Sequence, residues 1–136
     1  MINIIDLFSG AGGLTEGFRN QQYKILGHVE KEKAACETLK LREAYYYLKE
    51  KNKLGLYSDF LNSKTSIEDL LKPVPQEKLN KILNFEISQE NIHSIFSFFD
   101  DFFVGIFISI FKGIGYLIFG YKAVFSKSIL FNLLFS

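Results

Sequence analysis

A glycine-rich turn directly after a short apolar run is the feature that most constrains how this chain can fold. Residues 2–8, INIIDLF, have the composition of a buried strand in a parallel sheet. Residues 9–13, SGAGG, carry only small side chains, and residues 14–21, LTEGFRNQ, place Leu14 and Phe18 on one helical face. A strand that turns sharply into a helix over nearly bare backbone is typical of the opening of an α/β nucleotide-binding unit.

The same alternation continues along the chain. Residues 23–30, YKILGHVE, predict a second strand that ends at Glu30, and from Lys31 onward apolar residues recur at the spacing of a helix packed on a sheet. We predict that this helix continues through YYYLKEKNK. Three further elements are predicted with less support from periodicity: a third strand in Leu54–Phe60, a helix capped by Ser66, and a short helix over 76–84.

The glycines and the acid indicate what the turn could hold. Side chains at Gly10, Gly12 and Gly13 would block a ligand from the backbone, and Glu30 follows Gly10 by the twenty residues expected of an acid that binds ribose hydroxyls. Thr15 stands where the dinucleotide fingerprint G-x-G-x-x-G has its third glycine, which disfavours NAD. A sulfonium ligand such as S-adenosylmethionine instead tolerates nearby carboxylates, here those of Asp6 and Glu16. The alternative interpretation is a glycine turn that merely joins a strand to a helix.

These stretches resemble the motifs of a known family. DLFSGAGGLTEGF resembles the first motif of the DNA (cytosine-5) methyltransferases, HVEKEKAACETLKL resembles the second, and Tyr57–Phe60 is similar to the weakly specified third. The resemblance covers about residues 2–60. It implies the opening βαβα units of a Rossmann-like α/β methyltransferase fold, S-adenosylmethionine as cofactor, DNA as partner, a bacterial restriction–modification setting and a cytoplasmic location.

The resemblance also implies a set of cofactor contacts. Phe8 would stack near the adenine, Glu30 would bind the ribose hydroxyls, and Asp59, with Phe60 beside it, would bind the adenine amino group. Lys31 takes a place where the family often has a bulky residue. The backbone around the methionine part of the cofactor would be that of Ser9, Gly10, Ala11, Gly12, Gly13 and Leu14.

The nucleophile of this family is absent from the sequence. Its cysteine comes from a Pro-Cys motif, whereas neither Pro73 nor Pro75, which are the two prolines here, precedes a cysteine. Cys36 is interpreted as a packing residue of the second helix and His28 as a structural residue of its strand, and no metal site is predicted. We therefore assign no catalytic residue, and we expect no methyl transfer by this chain alone. The alternative is the cofactor-binding subunit of a split methyltransferase, with a second chain supplying the cysteine.

The composition changes sharply after residue 91. Eleven of the fifteen phenylalanines lie in residues 92–136, so we divide the chain into an incomplete methyltransferase-like region, 1–91, and an apolar tail, 92–136. Residues 102–121 are long enough to span a bilayer, but the charge of Lys112 near their middle disfavours a transmembrane segment. For the same reason we do not favour the interpretation of the chain as a membrane-associated nucleotide-binding protein. We hypothesise that a frameshift or gene break within residues 85–102 produced the tail. A strand-and-helix segment of an intact small fold is the least favoured interpretation.

Overall fold

The computed structural model describes residues 2–99 and 106–110, and these form an α/β structure around one parallel sheet. Its four strands are hydrogen-bonded in the order β3-β2-β1-β4. The strands are β1 Ile2–Leu7, β2 Tyr23–Glu30, β3 Ile82–Asn84 and β4 Ile106–Ile110. This order is that of the opening half of a Rossmann fold, and it places the carboxyl ends of all four strands at one edge.

Six helices connect these strands. They are α1 Gly13–Gly17, α2 Lys33–Glu50, α3 Leu54–Leu61, α4 Ile67–Leu71, α5 Gln76–Leu79 and α6 Ile92–Phe99. The predictions for β1 and β2 are confirmed, and so is a long α2, although it ends at Glu50, before the KNK that the prediction included. The Ser66 cap is confirmed as well, since its side chain accepts a hydrogen bond from the amide of Asp69.

The predicted third strand at Leu54–Phe60 is wrong, because this segment lies within helix α3. Its partly buried side chains, Leu56, Tyr57 and Phe60, pack together on one side against a cluster formed with α2 and α4. The third strand is instead the three-residue β3, which pairs in parallel with the end of β2. The helix predicted over 76–84 is correspondingly shorter: it ends at Leu79, and β3 begins at Ile82.

Among the described residues, two larger groups of apolar side chains and a small one formed by Cys36, Leu39 and Ile82 stabilise the fold. The first lies on the sheet and consists of Ile5, Leu7, Leu26, Val29, Ile95 and Phe99. The second joins α2 to the helices before β3 and consists of Ala44, Leu48, Leu70, Val74 and Leu79. We call the second group the helical cluster; it packs side chains of α3, α4 and α5 with those of α2.

The described part of the apolar C-terminal third packs on the N-terminal part. Ile95 and Phe99 of α6 belong to the sheet core, and β4 pairs with β1 from Asn3 to Leu7. The division into 1–91 and 92–136 stays a prediction, because residues 100–105 and 111–136 lie outside the described residues. Within 2–99 and 106–110, none of the helices combines the length and the apolarity that crossing a membrane requires.

Candidate functional site

The turn between β1 and α1 is held against the end of β2. The amides of Phe8 and Ser9 both donate to the carbonyl oxygen of Val29, at 2.9 and 3.3 Å, and the amide of Gly12 donates to the carbonyl oxygen of Ser9 at 2.9 Å. These bonds bring residues 8–12 across the carboxyl edge of the two central strands. The turn therefore lies where ligands bind in open parallel sheets.

Gly12 has a structural reason to be glycine. Its φ is +81°, and a Cβ atom built there would lie 2.7 Å from Cδ2 of Leu39 on α2. Gly10, with φ +51°, and Gly13 have no neighbouring atom within 4 Å of such a Cβ. One glycine of the motif thus packs against a helix, while the other two leave the backbone open to a ligand.

Phe8 also adopts a left-handed backbone conformation, with φ +59°. This is uncommon for a residue other than glycine, and such conformations concentrate at functional sites. Its side chain remains 40% exposed, next to a turn whose neighbouring Ser9 is buried. The conformation leaves an accessible aromatic ring at the carboxyl end of β1.

The carboxylate of Glu30 faces the turn. Its Oε2 accepts a hydrogen bond from the amide of Gly10 at 2.7 Å, and its Oε1 accepts one from the amide of Glu32 at 2.9 Å. Glu30 is only 9% exposed, so these two charge-assisted bonds compensate for its burial. The acid that ends β2 is thus fixed directly beside the glycine turn.

The end of β3 joins the same edge. The side-chain amide of Asn84 donates to the main-chain carbonyl oxygens of Glu30 and Lys31, at 3.0 and 2.7 Å. The main-chain amide of Phe85 also donates to the carbonyl oxygen of Glu30, at 3.0 Å. Phe85 is 45% exposed. Next along the chain, a carboxylate oxygen of Glu86 lies 3.7 Å from Nζ of Lys31.

The structure separates the sequence-predicted site residues into two groups. Residues 8–14, Glu30 and Lys31 all lie at the carboxyl edge of β1 and β2. Asp59 and Phe60 lie on α3, where Asp59 is exposed 3.7 Å from Nζ of Lys64 and Phe60 packs on the helical cluster. Their predicted role assumed the end of a third strand, a position that Asn84, Phe85 and Glu86 occupy instead.

Sequence reasoning missed these three residues because β3 is only three residues long. The available signal was the order polar, apolar, acidic in Asn84-Phe85-Glu86, directly after the apolar pair Ile82-Leu83; the same order, His28-Val29-Glu30, closes β2. A run this short does not distinguish a strand from the end of a helix.

An ionic cluster connects α1 to α2 behind the turn. Glu16 accepts hydrogen bonds from Arg19 and Tyr46 and lies 3.2 Å from Arg42, while Arg19 also pairs with Glu43. Burial would raise the pKa of Glu16, but the Tyr46 hydroxyl and the two guanidinium groups outweigh it and hold that pKa below its ordinary value. The carboxylate in turn raises the pKa of Tyr46.

Cys36 is buried in α2 and packs against Leu39 and Ile82, as the packing interpretation expects. Its thiol lies 3.4 Å from the carbonyl oxygen of Glu30, and burial raises its pKa. A thiol held in the protonated form is a poor nucleophile. Within residues 2–99 and 106–110, no three side chains of the His, Cys, Asp or Glu types are grouped to hold a metal ion.

The fold and this edge define a class of protein. A parallel sheet in the order β3-β2-β1-β4, a glycine turn after β1 and an acid at the end of β2 make a Rossmann-like α/β domain, and in open sheets of this kind ligands bind at the carboxyl edge. Residues 2–55 match the model of the C-5 cytosine-specific DNA methylases. The N-terminal part of the chain is thus similar to this methyltransferase family.

Two curated relatives share this part. The chain is 59% identical over 58 residues to "Type II methyltransferase M.Bpa9945I" of Bacillus paralicheniformis, covering 43% of this chain and 13% of that protein. It is 46% identical over 37 residues to "Putative type II methyltransferase M.MJ0563P" of Methanocaldococcus jannaschii, covering 27% of this chain and 12% of that protein. The matches thus span about an eighth of the length of these relatives. No solved structure matches the chain significantly.

Proposed function

We propose that this chain binds S-adenosylmethionine at the carboxyl edge of β1 and β2, as the cofactor-binding part of a DNA (cytosine-5) methyltransferase of a restriction–modification system. The observation that carries the proposal is the Glu30 carboxylate, buried and fixed 2.7 Å from the Gly10 amide beside open backbone at Gly10 and Gly13. A ribose would bind Glu30, the adenine would stack on Phe8, and the methionine part would lie along residues 9–14.

In this proposal the carboxylate after the third strand is that of Glu86 rather than Asp59. Glu86 follows β3 at the same edge as Glu30 and lies beside Lys31, the residue after that acid. The adenine amino group would donate to this exposed carboxylate.

Calorimetric titration of the full chain with S-adenosylmethionine tests the site. We expect binding by the unchanged chain and a loss of at least tenfold in affinity for Glu30→Gln, because one charge-assisted acceptor site becomes an amide donor. The matched control is Glu37→Gln, an exposed position of α2, which should bind like the unchanged chain. No heat from the unchanged chain, or equal affinity of the Glu30 and Glu37 variants, would contradict the proposal.

Methyl transfer needs a nucleophile that this sequence does not contain as a Pro-Cys motif. We propose that this chain is an inactive fragment that transfers no methyl group alone; the alternative is a split enzyme in which a second chain supplies the cysteine and the DNA-reading part. Incubation with tritiated S-adenosylmethionine and DNA should leave cytosine unlabelled. Label that depends on this chain alone would refute this part of the proposal, and a downstream reading frame encoding Pro-Cys would favour a frameshift over a split enzyme.

A further inference from the structure

Asp6 lies under the glycine turn and is bonded to both of its ends. Its main-chain oxygen accepts a hydrogen bond from the hydroxyl of Ser9 at 2.7 Å, and its carboxylate accepts one from the hydroxyl of Thr15 on α1. All three residues are buried, with Asp6 3%, Ser9 8% and Thr15 1% exposed. Asp6, a residue of the central strand β1, is thus hydrogen-bonded to residues at the start and at the end of the turn.

The surroundings of Asp6 leave Thr15 as its direct side-chain partner among the described residues. His28, opposite Asp6 on β2, places Nδ1 3.8 Å from the carboxylate, which is too long for a hydrogen bond. That Nδ1 has no hydrogen-bond partner within the described part of the chain. A buried carboxylate with a single hydroxyl donor depends strongly on that donor, and the donor belongs to the helix that follows the turn.

We propose that Asp6 and Thr15 are positioning residues that hold the turn in the shape the cofactor site requires. The proposal rests on the proposed function, but the shape of the turn can be measured without a ligand. Without the Thr15 hydroxyl, the carboxylate can turn toward His28, and α1 is no longer tied to β1. The amides of Gly10 and Gly12, which are hydrogen-bonded in the turn, would then open to solvent more often, while the sheet beneath them stays paired.

The variants Thr15→Val and Thr15→Ser separate the hydroxyl from the space it fills, since valine matches the shape of threonine and serine retains the donor. Leu70→Val, in the helical cluster far along the chain, is the control for a general loss of stability. Hydrogen exchange of the full chain without ligand should be at least tenfold faster at the amides of Gly10 and Gly12 in Thr15→Val. It should be near that of the unchanged chain in Thr15→Ser and in Leu70→Val.

Titration with S-adenosylhomocysteine then links the turn to binding. Thr15→Val should bind about tenfold more weakly, the equivalent of one hydrogen bond to a charged group, and Thr15→Ser should regain most of the affinity. Unchanged exchange at Gly10 and Gly12 in Thr15→Val would overturn the positioning role whatever the chain binds. Absence of binding by the unchanged chain, with exchange altered as expected, would instead refute the cofactor proposal and leave the positioning of the turn supported.

Discussion

At the scale of single residues, the glycines of the turn differ in what they contribute. Gly12→Ala should lower the free energy of unfolding by about 2 kcal/mol, because the new methyl group meets Leu39 and the backbone is left-handed there. Gly13→Ala should leave stability within about 0.5 kcal/mol, since its methyl group meets open space. Urea denaturation of the two variants checks this contrast.

The same pair of variants separates packing from ligand approach. If the cofactor lies along the turn, Gly13→Ala weakens S-adenosylhomocysteine binding while the fold is retained. Equal affinity of Gly13→Ala and the unchanged chain would contradict the position proposed for the methionine part.

The Glu16 cluster predicts a dependence of stability on pH. The folded pKa of Glu16 lies below its ordinary value of 4.5, so its stabilisation is complete above that pH and is lost as the pH falls through the folded pKa. When the pH is lowered from 7 to 3, the free energy of unfolding should therefore decrease less for Glu16→Gln than for the unchanged chain. Urea denaturation at the two pH values measures this difference, and equal losses would show that the cluster has no net effect.

At the scale of elements, β2 can approach β3 and α6 closely because residue 27 is glycine. A Cβ atom there would lie 2.7 Å from the carbonyl oxygen of Lys81 and 2.7 Å from Cε1 of Phe99. Gly27→Ala should lower the free energy of unfolding by about 2–3 kcal/mol. Gly55→Ala on α3 is the matched control: its methyl group meets nothing, so it should raise stability by about 0.5–1 kcal/mol through helix propensity. Thermal denaturation tests this contrast: the melting temperature should fall for Gly27→Ala and rise for Gly55→Ala.

A comparison of the predicted with the observed elements shows which parts of the fold could be predicted from the sequence. The strand–turn–helix at residues 2–17 and the acid at Glu30 were predictable, because backbone geometry demands particular residues at particular spacings. The segment Leu54–Leu61 was not, since LGLYSDFL fits either a short strand or a helix until α2 and α4 supply an apolar surface for it. Asp59 was therefore placed at a strand end that the fold builds 25 residues later, from Asn84 onward.

At the scale of the whole molecule, α6 makes the sheet core depend on residues beyond the predicted boundary at 91. Phe99 is 1% exposed and packs with Leu26 and Val29 of β2, whereas its neighbour Phe98 is 47% exposed. Phe99→Ala should cost about 3–5 kcal/mol, and Phe98→Ala less than about 1 kcal/mol. Chemical denaturation of the full chain tests this contrast, and equal small effects would show that residues 92–99 do not contribute to the folded unit.

The hydrogen bonds of Glu30 determine which sugar the proposed site would prefer. Each of its carboxylate oxygens already takes one main-chain amide, so each retains roughly one further lone pair for a ligand. In the proposed site, two vicinal hydroxyls would each donate to one of these lone pairs, whereas a 2′-deoxy nucleoside would leave one of the lone pairs unused. In the proposed site, the Glu30 carboxylate alone would therefore favour a ribonucleoside over its deoxy counterpart.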